Sequence, residues 1–165
     1  MSIIIPDYEA IKSKALGILS EHGIEKPPVV AVGLARKQGF EVLCAMLDPV
    51  CVAGYIDVEN MRIMVNSEDS PAQQNFTIAH ELGHYALKHH ERADYKENYY
   101  ALLRNNCDDE ETPMEQEANW FAENLLVPTA FLRDRLKKYP FLTNLQLANM
   151  FGVPVFIIQE RMRCI

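Results

Sequence analysis

Long hydrophobic runs, paired cysteines and an excess of positive charge are all missing here, and each absence argues against a class of function. No apolar stretch approaches the roughly 20 residues that a membrane helix needs. The apolar Ile3, Ile4 and Ile5 are stopped at once by Pro6 and Asp7, so no secretory leader is expected. The four cysteines, Cys44, Cys51, Cys107 and Cys164, are irregularly spaced and form no C-x-x-C pattern, which leaves no basis for a cysteine zinc site. Without a leader, they are expected as free thiols in a reducing cytoplasm. Asp and Glu (23) outnumber Lys and Arg (16), a net charge of −7, whereas binding a phosphate backbone needs clustered cations. The expectation is a cytoplasmic protein with no membrane and no direct nucleic-acid partner.

What is present is an ordinary globular composition, 48% hydrophobic and 24% charged over 165 residues, enough for one domain with a real core. No repeat or low-complexity linker divides the chain, so residues 1–165 are taken as a single domain. Ile11, Ala15, Ile18 and Leu19 recur at helical spacing and predict a helix over Tyr8 to Ser20, closed by His22-Gly23. Pro27-Pro28 marks a turn before a short helix from Pro28 to Leu34. Phe40 to Leu47, Val50 to Asp57 and Met61 to Val65 have strand composition and predict a small antiparallel meander. Ser70, Pro71 and Gln73 form a helix-start signature, and the apolar positions Ala72, Phe76, Ala79, Gly83 and Leu87 carry the helix to about His89. The polar segment from Glu91 to Asp109 is expected to be an irregular loop. Thr112, Pro113 and Glu115 start a second capped helix that ends at Pro128, followed by helices over Ala130 to Tyr139 and from Thr143 onward, broken at Gly152-Val153-Pro154. The fold class is α+β: a short three-stranded antiparallel sheet packed on one helix, with a helical C-terminal half.

That helix carries His80-Glu81-Leu82-Gly83-His84. Positions i and i+4 share one helix face, so His80 and His84 can present two imidazoles to one metal ion. Glu81 is rotated away from that pair but can reach a water bound beside it, the arrangement of a metal-dependent hydrolase. The bland alternative is a solvated histidine pair, and the capped amphipathic helix counts against it. A catalytic zinc usually takes three protein ligands and one open position. Glu115, Glu117 and Glu123 on the second capped helix are candidates for the third. Glu115 is preferred because Asn119, four residues on, shares its face and can hold one of the histidines. Otherwise Glu115 would only complete the helix cap with Thr112.

Asn75-Phe76-Thr77-Ile78-Ala79-His80-Glu81-Leu82-Gly83-His84-Tyr85 resembles the core of the ImmA/IrrE family of metallopeptidases. So do Glu115-Gln116-Glu117-Ala118-Asn119-Trp120-Phe121-Ala122 with Leu125-Leu126-Val127-Pro128, the upstream Met61 to Asn66, and the Pro27-Pro28 segment. The resemblance implies Zn²⁺ bound by His80, His84 and Glu115, with Glu81 as the base. It also implies a regulatory role, in which the partner is a helix-turn-helix repressor or antitoxin. One departure is Gln73-Gln74-Asn75, where the family often has an arginine.

The expected reaction is peptide hydrolysis, with Tyr85, His89, His90, Tyr95, Tyr99 and Tyr100 as open candidates for a further donor to the oxyanion. His89-His90 otherwise fits a helix end that favours positive charge. Substrate is expected to lie extended beside the Met61 to Val65 strand. A rival is a zinc-stabilised antirepressor that sequesters its partner without cutting it, and Glu81 argues for hydrolysis. A second rival, direct DNA binding, draws on helix-turn-helix spacing around Leu147-Ala148 and Gly152-Val153. The would-be recognition helix opens Pro154-Val155-Phe156-Ile157-Ile158, which offers bases no hydrogen bonds, and only Gln159, Arg161 and Arg163 remain. These helices are expected to pack in the core.

Overall fold

The computed structural model describes residues 6–47, 52–92 and 112–165. The expected loop from Glu91 to Asp109 and the start of the Val50 to Asp57 strand therefore fall largely outside the described residues. Those described form seven α-helices and three strands: α1 (Tyr8–Glu21), α2 (Ala31–Lys37), β1 (Glu41–Ala45), β2 (Gly54–Asp57), β3 (Arg62–Asn66), α3 (Pro71–Ala86), α4 (Pro113–Leu126), α5 (Thr129–Lys138), α6 (Asn144–Phe151) and α7 (Val155–Met162). The α+β class holds, with the sheet on one side of α3 and helices on the other.

The sheet is mixed rather than antiparallel throughout. Its order is β1-β3-β2, with β1 parallel to β3 and β2 antiparallel to it. The reason lies in the two connections. Between β2 and β3 the chain turns tightly at residues 58–61, where Asp57 accepts from Asn60 backbone and side-chain nitrogens and Met61 takes a left-handed φ of 52°. That hairpin forces antiparallel pairing. The link from β1 to β2 is longer and contains Pro49, so β2 is not held beside β1, and β3 inserts between them. Val42 and Ile63, and Cys44 and Val65, are register partners.

Helix α3 runs through the middle of the molecule. Ser70 caps it by accepting from Gln73 N, and Pro71 occupies the first turn where no N–H is missed. Phe76, Ile78, Ala79 and Leu82 are buried. Helix α4 starts the same way, with Thr112 accepting from Glu115 N, and buries Met114, Ala118, Phe121, Ala122 and Leu125. The two axes come close because small residues meet where they cross. A Cβ built on Gly83 would lie 3.0 Å from Phe121 Cδ1, 3.1 Å from Ala118 O and 3.2 Å from Ala118 Cα. Helix α1 covers the outer side of α4, where Trp120 Nε1 donates to Tyr8 O and the two rings meet edge to face.

Asn75 has a structural role. Its Oδ1 accepts from Ala31 N, and its Nδ2 donates to Val29 O and Gly152 O. One side chain thus ties α3 to the start of α2 and to the left-handed glycine that ends α6. The α6–α7 pair is a core element, as expected from the sequence. Ile157, Ile158 and Arg161 of α7 are buried, with Arg161 donating to Val127 O and Thr129 Oγ1. A buried Arg161 is unavailable to a base edge.

Candidate metal centre

His80 and His84 lie one turn apart on the α3 face that meets α4, and Glu115 comes from the first turn of α4. Their ligand atoms converge. Nε2 of His80 is 3.0 Å from Nε2 of His84 and 3.0 Å from Glu115 Oε2, and Nε2 of His84 is 3.2 Å from Glu115 Oε1. Among the described residues this is the one cluster of His, Cys, Asp and Glu whose ligand atoms lie close enough to hold a metal ion. Of Glu115, Glu117 and Glu123, it is Glu115 whose carboxylate meets the histidines, because the α3–α4 crossing at Gly83 and Ala118 brings the first turn of α4 over them.

The cluster fits zinc on chemical grounds. Tetrahedral zinc with bonds of about 2.0–2.1 Å separates its ligand atoms by about 3.3–3.4 Å, close to the 3.0–3.2 Å found here. The ring nitrogens on the far side are engaged elsewhere. Nδ1 of His80 is 2.7 Å from Asn119 Oδ1, and Nδ1 of His84 is 2.8 Å from Nδ1 of His89. Both Nε2 atoms therefore face each other and a carboxylate, an arrangement that calls for a positive charge between them. Burial disfavours the His80 imidazolium, yet Glu115, with Glu81 and Asn119 adding to it, pushes His80 up to about 9. Burial alone would raise Glu115, and the His80 and His84 rings beside it overcome that and hold the carboxyl well below its usual range. The field that holds a proton there would hold a metal cation. Asn119 takes the place expected for it beside one histidine.

Glu81 is buried and its charge acts on His80. The first-turn cap of α4 uses only Thr112, which leaves the Glu115 carboxylate to the cluster.

The family model described as the IrrE N-terminal-like domain, Peptidase_M78, matches residues 37–163. The chain belongs to this family. No curated protein matches it. A solved structure described as a Mycobacterium tuberculosis transcriptional regulator has a TM-score of 0.69 and 17% sequence identity. The likeness covers 93% of this chain and 46% of that one, so the chain spans under half of the regulator's length. At that identity it establishes the shared fold.

Two expectations need correction. Strand β3 is the centre of the sheet, paired on both sides, so no peptide can add to the Met61 to Val65 strand. Among the described residues the edges are β1 and β2, and β2 lies against α3, where a Cβ on Gly54 would sit 2.6 Å from Thr77 Cγ2. His89 is not a solvated helix end. After α3, Lys88 takes a left-handed φ of 57°, and a single 3-10 turn, His89–Glu91, carries His89 back under the helix. There it is fully buried, 2.8 Å from Glu117 Oε2. Burial pushes His89 down to about 3, and the neighbouring His84 and Arg92 act in the same direction. Of the other oxyanion candidates, Tyr85 stacks on His90 and packs edge-on against Phe40. Tyr95, Tyr99 and Tyr100 lie outside the described residues. The pairing of His89 with Glu117 was missed, although one signal pointed to it. Glu117 follows Met114 by three and precedes Phe121 by four, on the buried stripe, where a carboxylate needs a partner.

Among the described residues no helix is long and apolar enough to cross a membrane. Cys44 and Cys164 are free thiols.

Proposed function

We propose that the protein is a zinc-dependent endopeptidase, with His80, His84 and Glu115 as ligands and Glu81 as the catalytic base. The observation that carries this is the convergence of two imidazole nitrogens and a carboxylate within 3.0–3.2 Å of one another, with a buried carboxylate on the residue after His80. When bound, zinc supplies Lewis acidity, acidifying a water molecule and polarising the scissile carbonyl. Glu81 accepts the proton released by the attacking water and returns it to the nitrogen of the leaving amine. Asn119 keeps the His80 ring turned toward the cluster.

The substrate class is a regulatory protein of the helix-turn-helix repressor or antitoxin type. Membership of the family supports it, as does the likeness to a transcriptional regulator, whose fold this chain shares. The site of action is the cytoplasm.

The test measures bound zinc and cleavage together, in the wild type and in the His84→Ala and Glu81→Gln variants, each co-expressed with a helix-turn-helix repressor as the candidate substrate. The expected pattern is about one zinc per chain in the wild type and in Glu81→Gln, none in His84→Ala, and a cut partner with the wild type alone. If Glu81→Gln relieved repression without cleavage, the protein would be a zinc-stabilised antirepressor and the assignment of Glu81 would fall.

A further inference from the structure

We propose that His89 and Glu117 are positioning residues that hold His84 as its Nδ1–H tautomer, so that its Nε2 lone pair faces the metal centre before any ion arrives. The proposal rests on His84 being a ligand, as assigned above. Two buried hydrogen bonds in series carry it, and the direction of the second follows from the first.

The series begins at Glu117. Its Oε2 lies 2.8 Å from Nε2 of His89 and 2.9 Å from Nη2 of Arg92. A carboxylate oxygen can only accept, so Nε2 of His89 donates. A neutral imidazole protonated at Nε2 accepts at Nδ1. That Nδ1 is 2.8 Å from Nδ1 of His84, so His84 must donate there. A neutral His84 that donates from Nδ1 presents a lone pair at Nε2, the atom 3.2 Å from Glu115 Oε1 and 3.0 Å from Nε2 of His80.

Arg92 gives the series its sense. Its guanidinium supplies the counter-charge for Glu117, so His89 need not be an imidazolium to neutralise a buried carboxylate. A doubly protonated His89 would point an N–H at His84 Nδ1 and drive the proton of His84 onto Nε2, between the ligand atoms. His84, His89 and Glu117 are all buried, at 2%, 0% and 5% exposure, so water does not compete for these bonds. The geometry comes from chain reversal at Lys88, which places a side chain only five residues after His84 directly behind its ring. The two ligand histidines are thus oriented by different devices. A neutral amide holds His80, and a relay ending in an ion pair holds His84. Such outer partners are commonly worth 10- to 100-fold in metal affinity.

Two measurements test the relay. The first is the tautomer of His84 in the metal-free wild type, read from the ring ¹⁵N shifts with His84→Ala to assign them. The Nδ1–H form is expected, and a predominant Nε2–H form overturns the proposal whatever the variants do. The second is zinc affinity by chelator competition. His89→Phe removes the acceptor behind His84 and is expected to bind about 10- to 100-fold more weakly. His89→Gln keeps an acceptor and a donor on neighbouring atoms and is expected to recover most of that loss. Equal affinity for wild type and a folded His89→Phe also overturns the relay. A wild type that binds no zinc defeats the ligand assignment instead, and the tautomer measurement then decides the relay by itself.

Discussion

Asn119 Oδ1 accepts a 2.7 Å hydrogen bond from Nδ1 of His80, linking α4 to α3 at the candidate metal centre. The bond keeps a proton on Nδ1 of His80 and holds the ring from turning. Asn119→Leu is expected to weaken zinc binding about 10- to 100-fold, whereas Asn119→Asp, which keeps the acceptor, should remain nearer the wild type. Chelator competition measures both, and a Leu variant with wild-type affinity would show that packing alone orients His80.

Glu81 separates binding from chemistry. Its carboxylate is buried beside His80 but lies outside the ligand triangle. Glu81→Gln should keep the zinc stoichiometry and lose about 10²- to 10⁴-fold in cleavage rate. Loss of zinc from this variant would mean that Glu81 is a ligand.

Zinc should stabilise the fold, because the ligands come from two helices that unfolding separates. At a free zinc concentration a thousand times the dissociation constant the gain is about 4 kcal/mol. A thermal melt with and without a chelator should show the shift in the wild type and none in His84→Ala.

Two glycine substitutions should act in opposite directions. At Gly83 an added methyl meets Phe121 Cδ1 at 3.0 Å and the Ala118 backbone at 3.1–3.2 Å. Overpacking of about 1–3 kcal/mol should exceed the roughly 1 kcal/mol returned by helix propensity. Gly83→Ala should therefore destabilise the protein, and by spreading α3 from α4 it should also weaken zinc binding. Gly17, within α1, has nothing within 4 Å of an added Cβ. Gly17→Ala should stabilise by up to about 1 kcal/mol. Urea unfolding of the two variants checks the contrast.

Asn75 offers a stability test remote from the ligands. Asn75→Ala removes three hydrogen bonds and strands the Ala31 N–H and two carbonyls. A loss of about 1–3 kcal/mol is expected, with zinc affinity unchanged. An unchanged unfolding midpoint would mean that water replaces all three.

The helices were legible because their signals are local. Ser70-Pro71 and Thr112-Pro113 mark where α3 and α4 begin, and apolar spacing carries each to within about a turn of its observed end. The sheet was harder. Strand composition located β1, β2 and β3, but it says nothing about which strands are neighbours. That depended on a tight turn at residues 58–61 and a longer link before it. The β3 centre position followed, and with it the loss of the expected substrate edge.

The sequence by itself determined that His80 and His84 would face one way, since four residues on a helix return a side chain to the same face. It also determined that Glu81 would sit beside them. Only the tertiary structure decided between Glu115 and Glu117, which lie two residues apart on α4 and so point in different directions. Close approach at Gly83 and Ala118 turned Glu115 onto the histidines and left Glu117 to the interior. It also decided the place of His89, because one left-handed residue at Lys88 reverses the chain and sends a side chain that local pattern assigns to solvent into the core. Helical spacing is a property of the nearest few residues, whereas these contacts depend on how two helices cross and where the chain turns back.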